Sequence, residues 1–377
     1  MSPPPSIGWI TNLSAPYRHP VWSAIAERTP LTVGLLAQTE PNRRWSAHLP
    51  GEIGTLPLHA SCLRWREWQL YVLRHAALRG SDIDVLILPG WENPAAWQLL
   101  FEARRRSIAT VGFYESSHAS HAFRGGPVAR ARRRFFGSVD AVVTVGRASE
   151  RSMTNFGVAA DRIIRTDNAV DVTTISRAAM AAAAPDEQRR QHFVYVGQLI
   201  ERKNVGVLLD AFAKLGPDAR LSIAGEGPEA AALAESCATL GISGRVRFVG
   251  YLAAEDIPGF LATAQTLVLA STVEVYGLVV KEALAAGLHA VVSRPCGVAE
   301  DVAEMRGAFV CDTHSDSLAA AMQRSSAEWT GVIAAPEVLA HSPLAMAADV
   351  IRACAMAVTI AGDGRAGRRR ADGRRRR

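Results

Sequence analysis

Cysteine is scarce in this sequence, and no two cysteines stand at the C-x-x-C spacing of a zinc ribbon. An odd, scattered set of thiols also makes no complete disulfide framework. We therefore expect a reducing compartment and no zinc site. The five residues are Cys62, Cys237, Cys296, Cys311 and Cys354.

Long hydrophobic runs are also missing. The apolar runs are well short of the ~18–20 residues that cross a bilayer. The amino-terminal sequence MSPPPSIGWITNL lacks the basic and apolar regions of a signal peptide. The composition, 49% hydrophobic and 21% charged, is typical of a soluble globular protein, and 377 residues suffice for two domains. We expect a cytoplasmic protein.

An excess of basic charge is missing outside one short segment. The formal net charge is +6, but the segment from Gly364 to Arg377 alone carries +7, which leaves −1 for the remainder. Three interpretations of this arginine-rich tail stay open: a solvated disordered end, attraction of Arg365–Arg377 to anionic lipid at the inner face of the plasma membrane, and contact with nucleic acid. No nucleic-acid-binding motif accompanies the arginines, so we expect no nucleic-acid partner.

Short β-rich runs alternate with helical patterns through the first half of the sequence. The strand cores are near-continuous apolar runs, which is typical of parallel strands covered on both faces. The expected strands cover residues 6–11, 31–38, 84–89, 109–115 and 141–145, with a last one within 161–171. The expected helices cover residues 21–28, 65–79, 94–106, 128–136 and 148–156.

The second half repeats the alternation. Two successive runs of βαβ units predict an α/β protein with two doubly wound, Rossmann-like domains. The expected strands cover residues 192–196, 220–224, 245–249, 266–270, 290–293 and 308–311, with helices at 204–215 and 229–240. The expected organisation is a first domain at 1–170, a connection at 171–190, a second domain at 191–342, a helix at 343–360 that packs back on the first domain, and a disordered tail at 361–377.

The stretch from Thr266 to Gly287 combines a strand, a glycine-containing turn and a helix. The unpaired N–H groups and the positive dipole end at the start of that helix suit a phosphate. Glu274 before the helix and Glu282 within it stand eight residues apart. Carboxylates in such positions accept hydrogen bonds from the hydroxyls of a ribose or a hexose.

Three further loops follow strands of the second half. Arg202 and Lys203, in GQLIERKN, precede a helix and can pair with a diphosphate, although a solvated basic loop has the same pattern. Gly225 and Gly227, in AGEGPE, permit close backbone approach and equally suit an ordinary turn. The turn at Tyr251 either offers backbone groups to a nucleobase or packs its ring on the sheet.

Together these loops resemble the donor half of the group 1 (family 4) glycosyltransferases of GT-B fold. The resemblance covers Phe193 to about Val310. It is carried by VGQLIERKNVGVLLDAF, LSIAGEGPE, VRFVGYL and STVEVYGLVVKEALAAG followed by CGVAEDV. It implies two domains facing across a cleft, a nucleotide-diphospho-sugar donor and transfer with retention of configuration.

The resemblance also implies roles for the residues of this donor half. Arg202 and Lys203 would hold the diphosphate, and the helix N-terminus would cap it with backbone groups. Glu282 would bind the ribose and Glu274 the transferred sugar. Many members carry Arg where this chain has Gln198, so one cation of the phosphate clamp is missing. The predicted donor site comprises Arg202, Lys203, Gly225, Gly227, Tyr251, Glu274, Tyr276, Gly277, Leu278, Val279 and Glu282.

The first half matches the family more loosely and supplies candidates for the acceptor side. Tyr17, Arg18 and His19, in the first loop, either meet an acceptor or donor phosphate or form a structural turn. Seven of the eight tryptophans lie in the first 97 residues, and most are expected in the core. Trp91, in PGWENP at a strand end, is the best candidate for stacking on an acceptor.

The segment FYESSHASH, residues 113–121, follows a strand where many members carry a functional histidine. Glu115 and His118 are the candidates here, and His121 is less favoured. With Glu274 they form the predicted catalytic set. The expected mechanism is front-face transfer assisted by the donor phosphate, without an assigned protein base.

No metal or other cofactor is expected. Asp82 and Asp84 form a D-x-D-like pair, but they precede a strand, whereas a cation that bridges a diphosphate needs carboxylates at the strand's carboxyl end. We interpret the pair as a helix–strand turn. The basic loop and the helix dipole would then stabilise the leaving nucleoside diphosphate.

The sequence therefore predicts a glycosyltransferase of hexosyltransferase type. The acceptor would be a glycan or a lipid-linked sugar in cell-envelope polysaccharide synthesis, at the cytoplasmic membrane face. Three alternatives stay open: a GT-B nucleotide-sugar epimerase, a nicotinamide-dependent oxidoreductase and a non-catalytic glycan-binding module. The oxidoreductase predicts G-x-G-x-x-G after the first strand, but TNLSAPYRHP contains no glycine.

Overall fold

The computed structural model describes residues 4–38, 48–51, 53–65, 68–116 and 125–375. The chain divides into two compact units. Unit 1 comprises Met1–Asp167 and Pro343–Arg377, and unit 2 comprises Asn168–Ser342.

Unit 1 is built on a parallel sheet with the order β3-β2-β1-β6-β7-β8-β9 among its described residues. The central strands are buried along their whole length, as their apolar sequences predict. The strands of this unit are β1 (Ile7–Thr11), β2 (Leu31–Leu35), β3 (Gly54–Thr55), β4 (Ala60–Trp65), β5 (Trp68–Leu73), β6 (Val85–Leu88), β7 (Ala109–Tyr114), β8 (Ala141–Val145) and β9 (Ile163–Thr166). Its first helices are α1 (His19–Ala26), α2 (Pro94–Arg106), α3 (Gly126–Phe136) and α4 (Arg147–Asn155).

The prediction of a helix at residues 65–79 is wrong. Strands β4 and β5 form an antiparallel pair here, in register from Trp65 opposite Trp68 to Ala60 opposite Leu73. Tyr71 and Leu73 are buried two residues apart, which is the period of a strand. The other edge of β5 is satisfied by side chains: the Asn93 amide oxygen accepts from the Tyr71 N–H at 2.7 Å, and the Gln98 amide oxygen accepts from the Leu73 N–H at 2.8 Å.

Unit 2 has a second parallel sheet, with the order β12-β11-β10-β13-β14-β15 among its described residues. This is the doubly wound order, in which the first three strands are added toward one edge of the sheet and the fourth to sixth toward the other edge. The strands are β10 (His192–Val196), β11 (Arg220–Ala224), β12 (Val246–Gly250), β13 (Thr266–Leu269), β14 (His289–Ser293) and β15 (Ala308–Cys311). The prediction of two doubly wound, Rossmann-like halves is confirmed.

The helices of unit 2 include the segment expected as a connection. Residues 172–181 form α5, which packs against α9 and α10 of the same unit. The helices are α5 (Val172–Ala181), α6 (Asp186–Arg189), α7 (Val205–Ala213), α8 (Ala230–Thr239), α9 (Ile257–Leu261), α10 (Leu278–Ala285), α11 (Ala299–Val302) and α12 (Ser315–Ala327).

The last helix, α13 (Pro343–Arg375), returns to unit 1 and packs against α1 and strands β7, β8 and β9. The predicted return of this helix to the first half is confirmed. The helical backbone continues beyond residue 360, the predicted end of this helix, because alanine and arginine are good helix formers.

The segment Pro343–Asp363 is long and apolar enough to cross a membrane by length and composition alone. The core helix of a soluble protein passes the same test, and one face of α13 is buried in the core of unit 1. Its buried residues recur at three- and four-residue spacing, the period of one helix face. They are Met346, Ala347, Val350, Ala353, Cys354 and Ala357.

Candidate functional site

The loops at the carboxyl ends of β10, β11 and β12 are joined backbone to backbone. The Gly197 N–H donates to the Ala224 carbonyl at 3.0 Å, and the Gly225 N–H donates to the Gly250 carbonyl at 2.7 Å. A Cβ at Gly225 would lie 1.8 Å from the Gly197 carbonyl oxygen, and one at Gly227 would lie 2.1 Å from that of Leu199. Both glycines therefore permit close backbone approach between neighbouring loops.

Lys203 and Glu274 form an ion pair at this edge of the sheet. A short 3-10 turn after β10 (Glu201–Lys203) carries the lysine, and the loop after β13 carries the glutamate. Each side chain is 12% exposed. Arg202 approaches the same carboxylate oxygen at 3.6 Å and is itself 45% exposed. Two cations therefore share one carboxylate, and the cluster keeps a net positive charge.

Asn204 connects this basic turn to two other loops. Its backbone is left-handed, with φ of 58°, a conformation that asparagine tolerates better than most residues. Its side-chain amide donates to the Ala270 carbonyl at 3.1 Å and to the Thr313 carbonyl at 3.1 Å. The Thr272 N–H donates to the Arg202 carbonyl at 2.9 Å. The basic turn is thus fixed against the ends of β13 and β15.

The segment CGVAEDV fixes the other side of the Glu274 loop. Glu274 and Cys296 form an isolated parallel bridge, and the Gly297 N–H donates to the Glu274 carbonyl at 3.2 Å. A Cβ at Gly297 would lie 2.1 Å from the Val275 carbonyl oxygen. Burial raises the pKa of the Cys296 thiol to about 11, so this side chain adds no charge beside Glu274.

Helix α10 begins beside the ion pair. Gly277 precedes it with φ of 102°, which favours glycine, and a Cβ there would lie 2.9 Å from Leu269 Cδ2. Leu278 and Val279 are the first helical residues and are partly exposed. Their N–H groups belong to the unpaired first turn, so this end offers donors and partial positive charge to an anion.

Glu282 lies in the second turn of α10 and is partly buried. Desolvation raises the pKa of its carboxyl to about 7. Near neutral pH the carboxyl is therefore divided between its two protonation states. Both states accept hydrogen bonds from hydroxyls, and the neutral state also donates one.

The two tyrosines of the predicted donor site differ in exposure. Tyr276 is 3% exposed, and the Lys281 ammonium lies 5.3 Å from its ring centroid. Its ring is therefore part of the interior beneath the loop. Tyr251 is 54% exposed, so its ring does not pack in the core of unit 2.

In unit 1, the structure joins two residues that sequence reasoning treated separately. Arg18 and Glu115 form an ion pair between the loops that follow β1 and β7. Arg18 is 6% exposed, and its guanidinium lies 4.6 Å from the Phe113 ring centroid and 5.3 Å from that of Tyr17. Glu115 is the more accessible partner, with 30% of its side chain exposed.

His19 and Trp91 are partly buried among other side chains. His19 Nε2 lies 2.7 Å from the Ser14 hydroxyl, and burial together with the nearby His48 lowers the pKa of His19. Trp91 is partly buried, with the Arg132 guanidinium 4.8 Å from its ring. His118, His121 and Trp45 lie outside the described residues.

Among the described residues, no group of three or more His, Cys, Asp or Glu is placed to hold a metal ion. Asp84 lies just before β6 and accepts hydrogen bonds from the Ser6 N–H and hydroxyl, each at 2.9 Å. This carboxylate therefore fixes a turn at the amino end of the sheet.

Residues 178–329 match the family model described as "Glycosyl transferases group 1". This part of the chain is similar to the group 1 glycosyl transferases. The match runs from α5 past the end of α12, so it lies within unit 2 and contains every residue of the predicted donor site. The resemblance identified from the sequence is confirmed.

Three curated relatives show what this domain is similar to. The chain is 32% identical over 139 residues to "Uncharacterized glycosyltransferase MJ1607" of Methanocaldococcus jannaschii, covering 36% of each chain. It is 37% identical over 102 residues to the lipopolysaccharide core biosynthesis glycosyltransferase LpsE of Rhizobium meliloti, covering 27% of this chain and 29% of that one. It is 35% identical over 134 residues to a GDP-mannose-dependent alpha-(1-6)-phosphatidylinositol dimannoside mannosyltransferase of Mycobacterium tuberculosis, covering 34% of each. The chain thus matches about a third of the length of these relatives.

Solved structures match over nearly the whole chain. The apo lipopolysaccharide outer core galactosyltransferase WaaB superposes with a TM-score of 0.69 at 13% identity, covering 94% of this chain and 99% of that one. Anabaena Alr3699/HepE in complex with UDP superposes with a TM-score of 0.64 at 16% identity, covering 95% and 98%. At these identities the likeness establishes the fold, which is the predicted GT-B fold.

Proposed function

We propose that this protein is a glycosyltransferase that moves a sugar from a nucleotide-diphospho-sugar to a glycan or lipid-linked acceptor in cell-envelope glycoconjugate synthesis. The observation that carries the proposal is the cluster of Lys203, Arg202 and Glu274 beside the N-terminus of α10, within a group 1 domain. Relatives named for lipopolysaccharide core biosynthesis and for a GDP-mannose-dependent mannosyltransferase support the substrate class.

The donor's diphosphate would bind to the basic turn. The Lys203 ammonium has three N–H donors and gives one to Glu274, so others remain for phosphate oxygens. Arg202, nearly half exposed, adds a second cation, and the first N–H groups of α10 add backbone donors. As the glycosidic bond breaks, negative charge grows on the leaving diphosphate, and these fixed groups stabilise it.

The two glutamates would bind hydroxyl groups on either side of the diphosphate. Glu282, inside the second turn of α10, would hold the ribose, and Glu274 would hold the transferred sugar. The fixed loop around Glu274 supports this role, because a carboxylate held from two sides orients a sugar with little loss of entropy on binding.

We propose transfer with retention, without a metal and without an assigned protein base. The two cations and the helix end would supply the charge that a divalent ion supplies in other diphosphate sites. Glu115 and His118 stay the acceptor-side catalytic candidates, and Tyr17, Arg18, His19 and Trp91 the acceptor-binding ones. The cytoplasm, with peripheral association at the inner membrane face, is the proposed location.

A donor panel tests this function. UDP-, GDP-, dTDP- and ADP-sugars would be screened by thermal shift, since a ligand at a hundredfold excess over its Kd stabilises the folded state by about 2.7 kcal/mol. The stabilising donor would then be incubated with and without EDTA and with lipid-linked or free glycan acceptors. We expect sugar transfer in both conditions. Absence of a shift with every donor, or an epimerised sugar from donor alone, would overturn the proposal.

A further inference from the structure

Helices α2 and α3 of unit 1 contact each other through aromatic side chains. The Trp97 ring of α2 is 5.1 Å from the Phe135 ring of α3, and both helices contribute to one hydrophobic core cluster. Their inward side chains Leu99, Phe135 and Phe136 are fully buried. The opposite faces of the two helices point to solvent.

Those outward faces are dominated by arginine. The single acid of the two helices, Glu102, is partly buried and accepts from the Ala77 N–H at 2.9 Å, the Leu78 N–H at 3.0 Å and Arg106 Nε at 3.0 Å. The Glu102 carboxylate therefore binds a neighbouring loop and pairs with only one of the arginines. The exposed arginines are Arg104, Arg105, Arg106, Arg130, Arg133 and Arg134, and we call them, with Phe101, the α2–α3 surface.

The charge of these helices contrasts with the remainder of the chain. Together α2 and α3 carry a net charge of +6, and all residues outside them and outside the tail from Gly364 carry −7. A helix dipole attracts cations to the last turn, but it amounts to about half a charge per helix end. The last turns of α2 and α3 contain five arginines, and Arg130 lies nearer the start of α3. This positive charge is larger than the partial negative charge of the two helix C-termini.

Phe101 adds an exposed apolar group to this surface. Its side chain is 63% exposed on α2, and the Arg105 guanidinium lies 5.7 Å from its ring centroid. Arginines around an exposed aromatic ring suit the boundary of an anionic bilayer, where the cations meet headgroups and the ring enters the apolar layer. A surface for single-stranded nucleic acid would instead interleave several aromatic rings with the cations.

We propose that the α2–α3 surface docks unit 1 on anionic lipid headgroups. This inference rests on unit 1 alone and does not depend on the donor site proposed for unit 2. Each arginine near an anionic membrane strengthens binding about fivefold. Docking should weaken with salt, because ions screen charges beyond about 10 Å at roughly 0.1 M.

Vesicle sedimentation with the full chain tests the proposal. The vesicles would be phosphatidylcholine alone and phosphatidylcholine mixed with phosphatidylglycerol. The variant combines Arg105→Gln, Arg133→Gln and Arg134→Gln. Its matched control combines Arg177→Gln, Arg190→Gln and Arg247→Gln, three exposed arginines of unit 2 with the same charge change. We expect the α2–α3 variant to bind the mixed vesicles on the order of a hundredfold more weakly, and the control to bind nearly as the parent does.

Three results would overturn the proposal. Unchanged vesicle binding by the α2–α3 variant would leave the lipid contact to another region, such as the arginine tail. An equal loss in the control would show a response to net charge alone. Tighter binding of the parent to duplex RNA than to the mixed vesicles, lost in the α2–α3 variant, would assign the surface to nucleic acid. A separate Phe101→Ser variant should lose severalfold in binding to mixed vesicles, and its thermal unfolding should match the parent's.

Discussion

Lys203 and Glu274 are 71 residues apart in sequence and form an ion pair in which each side chain is 12% exposed. The pair joins the turn after β10 to the loop after β13, the central strands of the unit 2 sheet. Ligands of doubly wound sheets bind where the strand order reverses, between these two strands. The Lys203–Glu274 pair therefore lies at the position where doubly wound sheets bind their ligands.

Replacement of the lysine tests this position. We expect Lys203→Ala to abolish sugar transfer and donor binding, because the diphosphate loses its most enclosed cation. The matched control is Lys214→Ala, which breaks the Lys214–Asp316 pair on the surface of the same unit, at 2.5 Å. Surface pairs of this kind contribute about 0–1 kcal/mol, so the control should keep its activity and stability. Full activity in Lys203→Ala, measured by labelled-sugar transfer, would contradict the proposed donor site.

The raised pKa of Glu282 predicts a pH-dependent stability. The folded state binds the proton more tightly than the unfolded chain, since the carboxyl pKa is about 7 against an ordinary 4.5. The free energy of unfolding should therefore fall as pH rises from about 4.5 to about 7, and stay level above that range. Glu282→Gln removes this loss, so above pH ~7 the variant should be more stable than the parent by about 1–3 kcal/mol.

Urea unfolding across this pH range measures the effect, and Glu235→Gln, an exposed glutamate on α8, is its control. The control should follow the parent's pH profile. Glu282→Gln should also bind the donor more weakly, because the ionised carboxylate is lost. Parallel pH profiles for the parent and Glu282→Gln would show that burial of this carboxyl does not govern stability.

Most of unit 2 could be predicted from the sequence because its determinants are local. Apolar runs predict the strands, and the glycine before α10 predicts the turn, so Glu274 could be assigned to the loop and Glu282 to the helix of one βα unit. The antiparallel pair of β4 and β5 could not be predicted in this way. Its aromatic residues also fit a helical period, and side chains of Asn93 and Gln98, distant in sequence, complete the strand edge.

Long-range pairs cannot be predicted from the sequence for the same reason. Arg18 and Glu115 are 97 residues apart, and the sequence predicts each as a candidate without linking them. No motif in the sequence singles out Asn204, although an asparagine between a basic turn and a helix can indicate a left-handed backbone. Its two hydrogen bonds depend on where Ala270 and Thr313 lie in the fold, and no spacing rule supplies that information.

We predict that the Asn204 side chain positions the donor-binding lysine and is not needed for folding. Asn204→Gly keeps the left-handed backbone available and removes both side-chain hydrogen bonds. We expect the donor KM to rise about tenfold through misplacement of the neighbouring lysine, with a smaller change in kcat. The control is Gln191→Gly, another left-handed position of unit 2, at the opposite end of β10. An unchanged donor KM in Asn204→Gly, with thermal unfolding equal to the parent's, would remove the positioning role.

We predict that replacing Glu115 destabilises unit 1 more than replacing Arg18 does. Glu115→Ala leaves a guanidinium that is 6% exposed without its carboxylate, among aromatic rings, so unit 1 should lose about 3 kcal/mol of stability. Arg18→Met leaves a carboxylate with 30% of its side chain exposed, which water can solvate, so the loss should be smaller.

Tryptophan fluorescence during urea unfolding reports on unit 1, because seven of the eight tryptophans lie in the first 97 residues. The double variant Arg18→Met/Glu115→Ala should recover part of the stability lost in Glu115→Ala, since no unpaired charge stays buried. A double variant less stable than Glu115→Ala would mean that Arg18 stabilises unit 1 by packing on the rings and not through its charge partner.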